Sequence, residues 1–405
     1  MNTTRVLLAV AVIALIGGII AILLVFTFDS DDEKGEIAIS AGAGHSCVLR
    51  PDGSLRCWGL NGTGQLGNDQ VPESFVPLDV AGMSRNVVAV AAGGAHTCGL
   101  VLGGGARCWG GNEFGQLGDG RSGTQAASAV PVDVEGLERD VVAIAAGSDH
   151  TCALTEAGDV FCWGRNVDGR LGDGTTDDRA TPVAVDRLDS DVVAIAAGST
   201  HSCALTEAGA VLCWGGNTFG QLGDGTMTDS ATPVQVDGLD SDVVAVTAGS
   251  THTCAVTSGG DAFCWGSNSD GRLGDGTTDD RAPPTSVAGL ADTPIVAISA
   301  GFNHTCALTA AGGVSCWGGN ASGQLGNGET AESGTPVLVS GLSSGVVSVS
   351  SGGFHTCALT QDGQVLCWGE NVFGQVAAAA VDTCGEDAAA VECSTTPVEV
   401  VRFSD

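Results

Sequence analysis

Seven histidines and fourteen of the sixteen cysteines recur in one fixed pattern along this 405-residue chain. In each copy a Cys follows the His by two residues, and a second Cys comes ten residues after the first. Imidazole is the usual acid–base group near neutral pH, and a His beside paired thiolates can bind zinc. These residue types therefore suggest acid–base catalysis or metal binding. The histidines are His45, His96, His150, His201, His252, His304 and His355.

The spacing of these residues favours a structural role instead. The histidines recur at intervals of 51 to 54 residues, whereas a catalytic residue is needed only once. The ten-residue separation of the cysteines differs from the short C-x₂₋₄-C spacing of zinc sites. We expect hydrogen bonds from the histidines to tie strands or repeats together, with a binding role as the alternative. The sequence contains no Ser-His-Asp arrangement, phosphate loop or nucleotide fingerprint, so we predict a non-enzyme without a cofactor.

The third repeat shows which elements would position these side chains. Val141–Gly147 is small and β-branched, as a buried strand would be, and Thr151–Thr155 and Asp159–Gly164 flank a short turn. After a Gly-rich loop, Thr181–Val185 adds a fourth short strand. Seven copies of a four-stranded unit predict an all-β, seven-bladed β-propeller. The repeats are predicted near 37–86, 87–140, 141–191, 192–242, 243–294, 295–345 and 346–403.

Strand alternation pairs the cysteines within each repeat. The turn between the two central strands has Gly as its third residue, which suits a three-residue hairpin loop. We take Thr155 and Asp159 as the hydrogen-bonded pair that closes this turn. Alternation then makes Cys152 and Cys162 directly opposed, with Cα atoms about 4.5 Å apart, inside the disulfide range. The predicted bridges are Cys47–Cys57, Cys98–Cys108, Cys152–Cys162, Cys203–Cys213, Cys254–Cys264, Cys306–Cys316 and Cys357–Cys367.

One Trp in each repeat stands 13 residues after the His. A single large ring per unit is explained by wedging between neighbouring blades, where its burial contributes on the order of a few kcal/mol. We therefore assign these residues to the core. The tryptophans are Trp58, Trp109, Trp163, Trp214, Trp265, Trp317 and Trp368.

The chain is strongly acidic, with 47 Asp and Glu against 15 Lys and Arg, a net charge of −32. This balance argues against nucleic acid and against docking onto anionic lipid. A solvated acidic surface is the simplest interpretation, and attraction of cationic partners or divalent ions is the alternative. Acidic clusters on Gly-rich loops are candidate calcium ligands, although Asp-Gly is ordinary turn chemistry and no EF-hand spacing is present. The candidates are Asp173, Asp177, Asp178, Asp224, Asp229, Asp275, Asp279 and Asp280.

The N-terminal segment differs from the repeats. Val6–Phe28 is 23 residues without a charge, long enough to span a bilayer as a helix. We predict an uncleaved signal anchor at 6–28, a cytoplasmic stub at 1–5, an acidic linker at 29–36 and the propeller at 37–403. The propeller would then lie in the periplasm or outside the cell, and it would be secreted if the segment were cleaved. Regular cysteine pairs agree with an oxidising compartment.

The repeated residues resemble the RCC1 repeat. His-Thr-Cys-Ala-Leu-Thr, Gly-x-Val-x-Cys-Trp-Gly, Asn-x-x-Gly-Gln-Leu-Gly-Asp-Gly and Thr-Pro-Val-x-Val follow one another through residues 37 to 403. The resemblance implies a seven-bladed propeller, in which the Thr396–Val401 strand would close the ring against the strand at Ile37. The family's loop glycine is matched by Gly118, Gly172, Gly223, Gly274 and Gly326, and its asparagine by Asn112, Asn166, Asn217, Asn268, Asn320 and Asn371.

The resemblance implies a fold rather than an activity, because this family includes a nucleotide exchange factor, a chromatin binder, a photoreceptor and a hydrolase inhibitor. We predict a bacterial, membrane-tethered, protein-binding scaffold whose partner is unidentified. A regulator of an enzyme, either a GTPase exchange factor or a hydrolase inhibitor, is the alternative. The binding face is expected in the loops Asn68–Phe75, Arg121–Ser128 and Val376–Glu392, where the repeats differ, with Cys384–Cys393 bridging the last loop.

Overall fold

The computed structural model describes residues 37–69, 71–188, 191–290, 293–377, 382–384 and 390–403. The predicted stub, signal anchor and linker, residues 1–36, lie outside the described residues. Within the described part of the chain, no helix is long and apolar enough to cross a membrane.

The described residues form seven antiparallel sheets, one for each sequence repeat. Strands β1 to β24 supply four consecutive strands to each of blades 1 to 6, and β25 to β29 form blade 7. This architecture confirms the all-β, seven-bladed propeller. The strands are β1 (Ala38–Ala41), β2 (His45–Leu49), β3 (Leu55–Leu60), β4 (Glu73–Asp79), β5 (Val87–Ala92), β6 (His96–Val101), β7 (Gly105–Gly110), β8 (Ser128–Asp133), β9 (Val141–Ala146), β10 (His150–Thr155), β11 (Val160–Gly164), β12 (Arg179–Ala184), β13 (Val192–Ala197), β14 (His201–Thr206), β15 (Val211–Gly215), β16 (Ser230–Gln235), β17 (Val243–Ala248), β18 (His252–Thr257), β19 (Ala262–Gly266), β20 (Arg281–Ser286), β21 (Ile295–Ala300), β22 (His304–Thr309), β23 (Val314–Gly318), β24 (Ser333–Leu338), β25 (Val346–Ser351), β26 (His355–Thr360), β27 (Gln364–Glu370), β28 (Asp382–Cys384) and β29 (Val391–Arg402).

The antiparallel order places the connections of each blade on two opposite faces. The turn after the first strand and the long loop after the third strand emerge on one face, here called the loop face. The hairpin between the second and third strands, and the connection to the next blade, emerge on the other, here called the hairpin face. The first strand of each blade lies innermost, and the fourth, which carries the prolines, lies at the outer edge where a missing N–H is tolerated.

The hairpins have the register that alternation predicts. Cys152 is directly opposite Cys162, and the Thr155 N–H donates to the Asp159 carbonyl at 3.0 Å. Gly158, the third turn residue, has φ +84°, a conformation that favours Gly. All seven predicted in-blade pairs are joined by disulfides with Cα atoms 4.0 to 4.1 Å apart, and Cys384 is joined to Cys393.

A ring of glycines surrounds the central axis on the loop face. The residue after each Gly donates its N–H to the Gly carbonyl of the next blade, as from Ser250 to Gly301 at 3.2 Å. A Cβ added at Gly249 would stand 2.5 Å from the Gly301 carbonyl oxygen, so only Gly allows this approach. The ring members are Gly42, Gly93, Gly147, Gly198, Gly249, Gly301 and Gly352.

The ring closes between blade 7 and blade 1 without a shared sheet. The expectation that Thr396–Val401 pairs with the strand at Ile37 is wrong, because β29 pairs with β27 and β28, and β1 pairs with β2. Ile37 and Phe403 nevertheless belong to one hydrophobic cluster with Trp58. Side-chain packing and the backbone hydrogen bond from the Gly353 N–H to the Gly42 carbonyl therefore close the ring. Both ends of the described propeller lie at the hairpin face.

Candidate functional site

The repeated His, Trp and hydroxyl residues form the seams between blades. The His45 Nε2 lies 2.8 Å from Thr97 Oγ1 in the next blade. Both Thr97 Oγ1 and Trp109 Nε1 donate to the backbone carbonyl of Gln65, at 2.8 and 3.0 Å. Each seam is thus tied by a His from one blade and a hydroxyl and a Trp from the next. The seven His–hydroxyl contacts, each 2.8 or 2.9 Å, are His45–Thr97, His96–Thr151, His150–Ser202, His201–Thr253, His252–Thr305, His304–Thr356 and His355–Ser46.

The seven tryptophans make the same contact throughout the ring, and each is at most 1% exposed. Each ring also packs into the hydrophobic cluster of the preceding blade, as Trp163 does beside Leu117 and Val134. This is the wedge between blades that the sequence predicts. The pairs of Trp Nε1 and carbonyl are Trp58–Gln375, Trp109–Gln65, Trp163–Gln116, Trp214–Arg170, Trp265–Gln221, Trp317–Arg272 and Trp368–Gln324, at 2.8 to 3.0 Å.

Burial keeps the histidines neutral. Because the Thr97 hydroxyl donates to a carbonyl, its oxygen accepts from the Nε2–H of His45, which leaves Nδ1 unprotonated. Burial lowers the pKa of His45 to about 4 and the pKa of His96 to about 3. The pKa of His150 and of His252 also lies well below its usual value, through burial and then a nearby Arg. A buried ring that stays neutral at pH 7 and is tied to a hydroxyl serves the seam, not acid–base chemistry.

The acidic loops that were candidate calcium sites are cross-linked by their own side chains. Asp173 accepts hydrogen bonds from Thr175 and, at 2.9 Å, from Arg179 Nε. Although burial alone would raise it, these bonds lower the pKa of Asp173. Asp178 accepts the N–H of Asn166, while Asp177 is exposed.

Blades 4 and 5 use their acidic loops in the same way. In blade 5, the Asp275 carboxylate accepts a hydrogen bond from Arg281 Nε, and the Asp280 carboxylate accepts one from the backbone N–H of Asn268. Asp279 is exposed. In blade 4, the Asp224 carboxylate accepts a hydrogen bond from the backbone N–H of Thr226, and the Asp229 carboxylate accepts one from the backbone N–H of Asn217. No group of three potential metal ligands occurs among the described residues.

Two blades carry a buried Arg on the loop face. In five blades a Gln at this position accepts the backbone N–H two residues earlier. In blades 3 and 5, Arg170 and Arg272 instead bind the carboxylates of Asp168 and Asp270, also two residues earlier. Both Arg side chains are nearly buried, so their charges are neutralised within the loop and present little positive charge to solvent.

The opening at the centre of the loop face is lined by small residues, without side chains that could act as an acid, a base or a metal ligand. It is a shallow, open depression lined by Gly, Ala and Ser from the first strands and turns, with Phe302 at one side. A pocket that binds a small molecule usually offers a few convergent polar or charged groups. No titratable side chain lines this opening.

Four phenylalanines lie on the loop face of blades 6, 7 and 1: Phe75 and Phe354 are exposed, and Phe302 and Phe373 are half-buried. Phe302 and Phe354, in the first turns of blades 6 and 7, contact edge to face with ring centroids 6.1 Å apart. At the seam between blades 7 and 1, Phe373 lies beside Gly44 and Phe75 packs against the backbone of Gly374. With the exposed Val372, these four rings define the aromatic patch: Phe75, Phe302, Phe354, Val372 and Phe373.

A half-buried carboxylate links the two halves of the aromatic patch. The Glu370 N–H donates to the Phe354 carbonyl at 2.8 Å, and Glu370 Oε2 accepts from Gln375 Nε2 at 3.0 Å. Gln375 Oε1 in turn accepts the N–H of Phe373 at 2.9 Å. Burial raises the pKa of Glu370. The half-buried Glu370 carboxylate therefore has an amide beside it, and no ion pair to it occurs among the described residues.

The three loops proposed from sequence all emerge on the loop face, because each follows the third strand of its blade. They are 68–75 in blade 1, 121–128 in blade 2 and 376–392 in blade 7. Residues 70, 378–381 and 385–389 of these loops lie outside the described residues. The aromatic turns Phe302 and Phe354 were not identified from sequence, although they stand where other blades have Gly, Ala or polar residues.

Residues 24–305 match the RCC1-like domain. The chain belongs to this family. Residues 295–324 and 346–375, and in a separate match 311–359, correspond to the regulator of chromosome condensation (RCC1) repeat. The matches therefore extend through most of the ring, in agreement with the seven blades.

Relatives in plants and animals align with most of this chain. The ultraviolet-B receptor UVR8 of Arabidopsis thaliana is 35% identical over 346 residues, covering 84% of this chain and 78% of UVR8. The E3 ubiquitin-protein ligase HERC2 of Homo sapiens is 35% identical over 319 residues, 77% of this chain but only 7% of HERC2.

Solved structures have the same fold. Human WBSCR16 superposes with a TM-score of 0.72 at 25% identity, covering 83% of this chain and 89% of that one. Prp20p of Saccharomyces cerevisiae has a TM-score of 0.74 at 22% identity, covering 94% of this chain and 90% of its own.

Proposed function

We propose that this propeller is a non-catalytic, protein-binding scaffold that uses its loop face. The aromatic patch is the observation that carries the proposal. The repeated His and Trp are explained by their contacts at the seams between blades. Nothing in the blade architecture requires an aromatic residue at the half-buried Phe302 or the exposed Phe354. Exposed apolar groups rimmed by polar ones are typical of protein interaction sites. The fold of Prp20, whose structure with bound Kap60 is known, is compatible with such a role.

The same proposal includes a tether at the hairpin face. The first strand runs from the hairpin face to the loop face, so the chain enters the propeller at Ile37 on the hairpin face. If Val6–Phe28 is a signal anchor, the linker 29–36 reaches at most about 28 Å. The loop face would then point away from the membrane, into the periplasm or the medium of a bacterial cell. The fully paired cysteines among the described residues support an oxidising compartment.

A reporter enzyme fused to the C-terminus tests this topology. An alkaline phosphatase fusion, active only outside the cytoplasm, is expected to be active, and a fusion partner active only in the cytoplasm is expected to be silent. The reverse pattern would refute the tether without touching the proposal of protein binding.

Regulation of an enzyme is the second candidate. The family resemblance suggests nucleotide exchange-factor activity as one form of regulation. An extracellular location would suit the other form, inhibition of a hydrolase. The test is capture of partners by the full chain from crosslinked membranes, followed by assays on what is captured. A membrane or envelope protein without a change in activity supports the scaffold. A GTPase that releases nucleotide faster, or a hydrolase that slows, would favour the regulator.

A further inference from the structure

The aromatic patch interrupts an otherwise small and polar inner ring on the loop face. The residue after the ring glycine is Ala43, Gly94, Ser148, Ser199 and Ser250 in blades 1 to 5. Blade 6 has Phe302 there, and blade 7 has Phe354 one residue later. Because five blades close the same seam with small residues, the two rings are additions to the fold.

Positive charge is missing from this sector. The sequence has no Lys or Arg between Arg281 and Arg402, and Arg402 lies at the end of β29 on the hairpin face. Among the described residues, Arg272 contacts this sector, where its Nη1 donates to the Phe302 carbonyl at 2.9 Å. Its side chain is 9% exposed and is paired with Asp270, so it offers no charge to a ligand.

Negative charge surrounds the patch. Glu370 adjoins it, partnered by the Gln375 amide. Exposed carboxylates lie in the segments that follow the third strands of blades 1, 6 and 7, in loops or at the strands that these loops enter. They are Asp69 and Glu73 in blade 1, Glu329 and Glu332 in blade 6, and Asp382 and Glu392 in blade 7. The faces of the aromatic rings add a further attraction for a cation.

This charge pattern selects one class of occupant. A second copy of the chain would bring a matching negative surface, and the net charge of −32 opposes that contact. Nucleic acid and anionic lipid are repelled for the same reason. An apolar segment carrying Arg or Lys satisfies both the rings and the carboxylates.

We infer that the aromatic patch, together with the adjoining Glu370, binds a cationic segment of a partner protein in which Arg or Lys alternates with apolar side chains. The inference rests on the proposed scaffold function and identifies the chemistry of its partner. The apolar side chains pack on Phe302 and Phe354, and a guanidinium or ammonium group reaches the Glu370 carboxylate.

Three fluorescent synthetic peptides test the inference on the purified full chain. The first alternates Arg with Trp and Leu, the second has Gln in place of each Arg, and the third has Ser in place of Trp and Leu. We expect the first to bind at least about tenfold more tightly than either control peptide. Equal binding of the first and third peptides would show charge attraction alone and would overturn the inference.

Matched variants locate the binding site. F302S/F354S should weaken the first peptide by about tenfold or more, and E370Q by about threefold to tenfold. F219S is the control, because Phe219 is 37% exposed on the same face but lies in blade 4. Binding that F219S weakens as much as F302S/F354S would contradict the assignment. Circular dichroism and the urea midpoint of each variant verify that the ring is folded.

The two proposals fail in different ways. If a crosslinked partner is captured equally by the wild type and F302S/F354S, the scaffold function stands and the inferred patch chemistry is wrong. If the full chain captures no partner and none of the peptides binds, the scaffold function itself is wrong.

Discussion

The Nε2 atom of His355 in blade 7 lies 2.8 Å from the Oγ atom of Ser46 in blade 1, 309 residues earlier in the chain. The Ser46 hydroxyl also donates to the Gln375 carbonyl at 3.1 Å. The closing seam therefore repeats the contact that joins every other pair of blades. Because no strand crosses this seam, these side chains, the packing around Trp58 and the Gly353–Gly42 backbone hydrogen bond of the glycine ring hold the ring shut.

Removing the Ser46 hydroxyl should weaken the closing seam. Ser46→Ala leaves the buried His355 donor without its acceptor, which should cost about 1–3 kcal/mol of unfolding free energy. Ser46→Thr should be close to neutral, because five other seams use Thr at this position. Urea denaturation of the two variants measures the difference. If Ser46→Ala unfolds at the same urea concentration as the wild type, the hydroxyl does not support the seam.

The buried histidines make stability depend on pH. Their pKa values are lowered on folding, to about 4 for His45 and about 3 for His201, His304 and His355. The unfolded chain therefore binds more protons once the pH falls below about 6.5. Stability should be complete above pH 6.5 and should fall steadily as the pH approaches 4. Urea midpoints measured from pH 7.5 to 4.5 test this, and a flat profile in that window would contradict neutral, buried rings.

The glycine ring should tolerate no side chain. Gly249→Ala would push a methyl group against the Gly301 carbonyl oxygen, at a cost of about 3 kcal/mol. Gly289→Ala is the control: Gly289 has φ +76° but nothing lies within 4 Å of its added Cβ, so strain of about 1–2 kcal/mol is expected. Thermal unfolding of both variants compares the two effects. A smaller loss for Gly249→Ala than for Gly289→Ala would show that the blades can move apart cheaply.

The disulfides should resist reduction until the blades unfold. All sixteen cysteines are at most 1% exposed, so a reductant and a thiol-alkylating reagent have no access in the native state. Mass spectrometry after mild reduction and alkylation of the native protein should find no modified cysteine, whereas the same reductant in urea should release all sixteen thiols for alkylation. Alkylation of protein that is isolated without reductant and unfolded in urea alone would contradict the eight bridges.

Much of the ring follows from local sequence. The turn glycine and strand alternation set the hairpin register, so the Cys152–Cys162 pair needs no long-range information. The partner of His45 is different, because Thr97 lies 52 residues away and approaches only when two blades pack together. The sequence indicates that the His has a structural role. Which atoms contact each other across the seam depends on how neighbouring blades pack in the closed ring.

The aromatic patch shows what the sequence left hidden. The loops predicted from sequence to form the binding face, 68–75, 121–128 and 376–392, are those in which the repeats differ. Phe302 and Phe354 are instead in short, regular turns. Whether a turn residue is buried or exposed depends on how closely the neighbouring blades approach the axis, which the repeat pattern does not state. Glu370 was not identified from the sequence either, because its position follows no repeated residue type. The other blades have Leu60, Gly111, Arg165, Gly216, Ser267 and Gly319 there.

Site-specific photo-crosslinking tests the central claim most directly. A photoreactive amino acid is placed at Val372 in the aromatic patch or at Leu102, an exposed apolar residue of a hairpin turn on the opposite face. In intact cells that produce the full chain, Val372 should give a discrete protein adduct that F302S/F354S abolishes, and Leu102 should give none. An adduct from Leu102 alone, or one from Val372 that persists in F302S/F354S, would contradict binding at this patch.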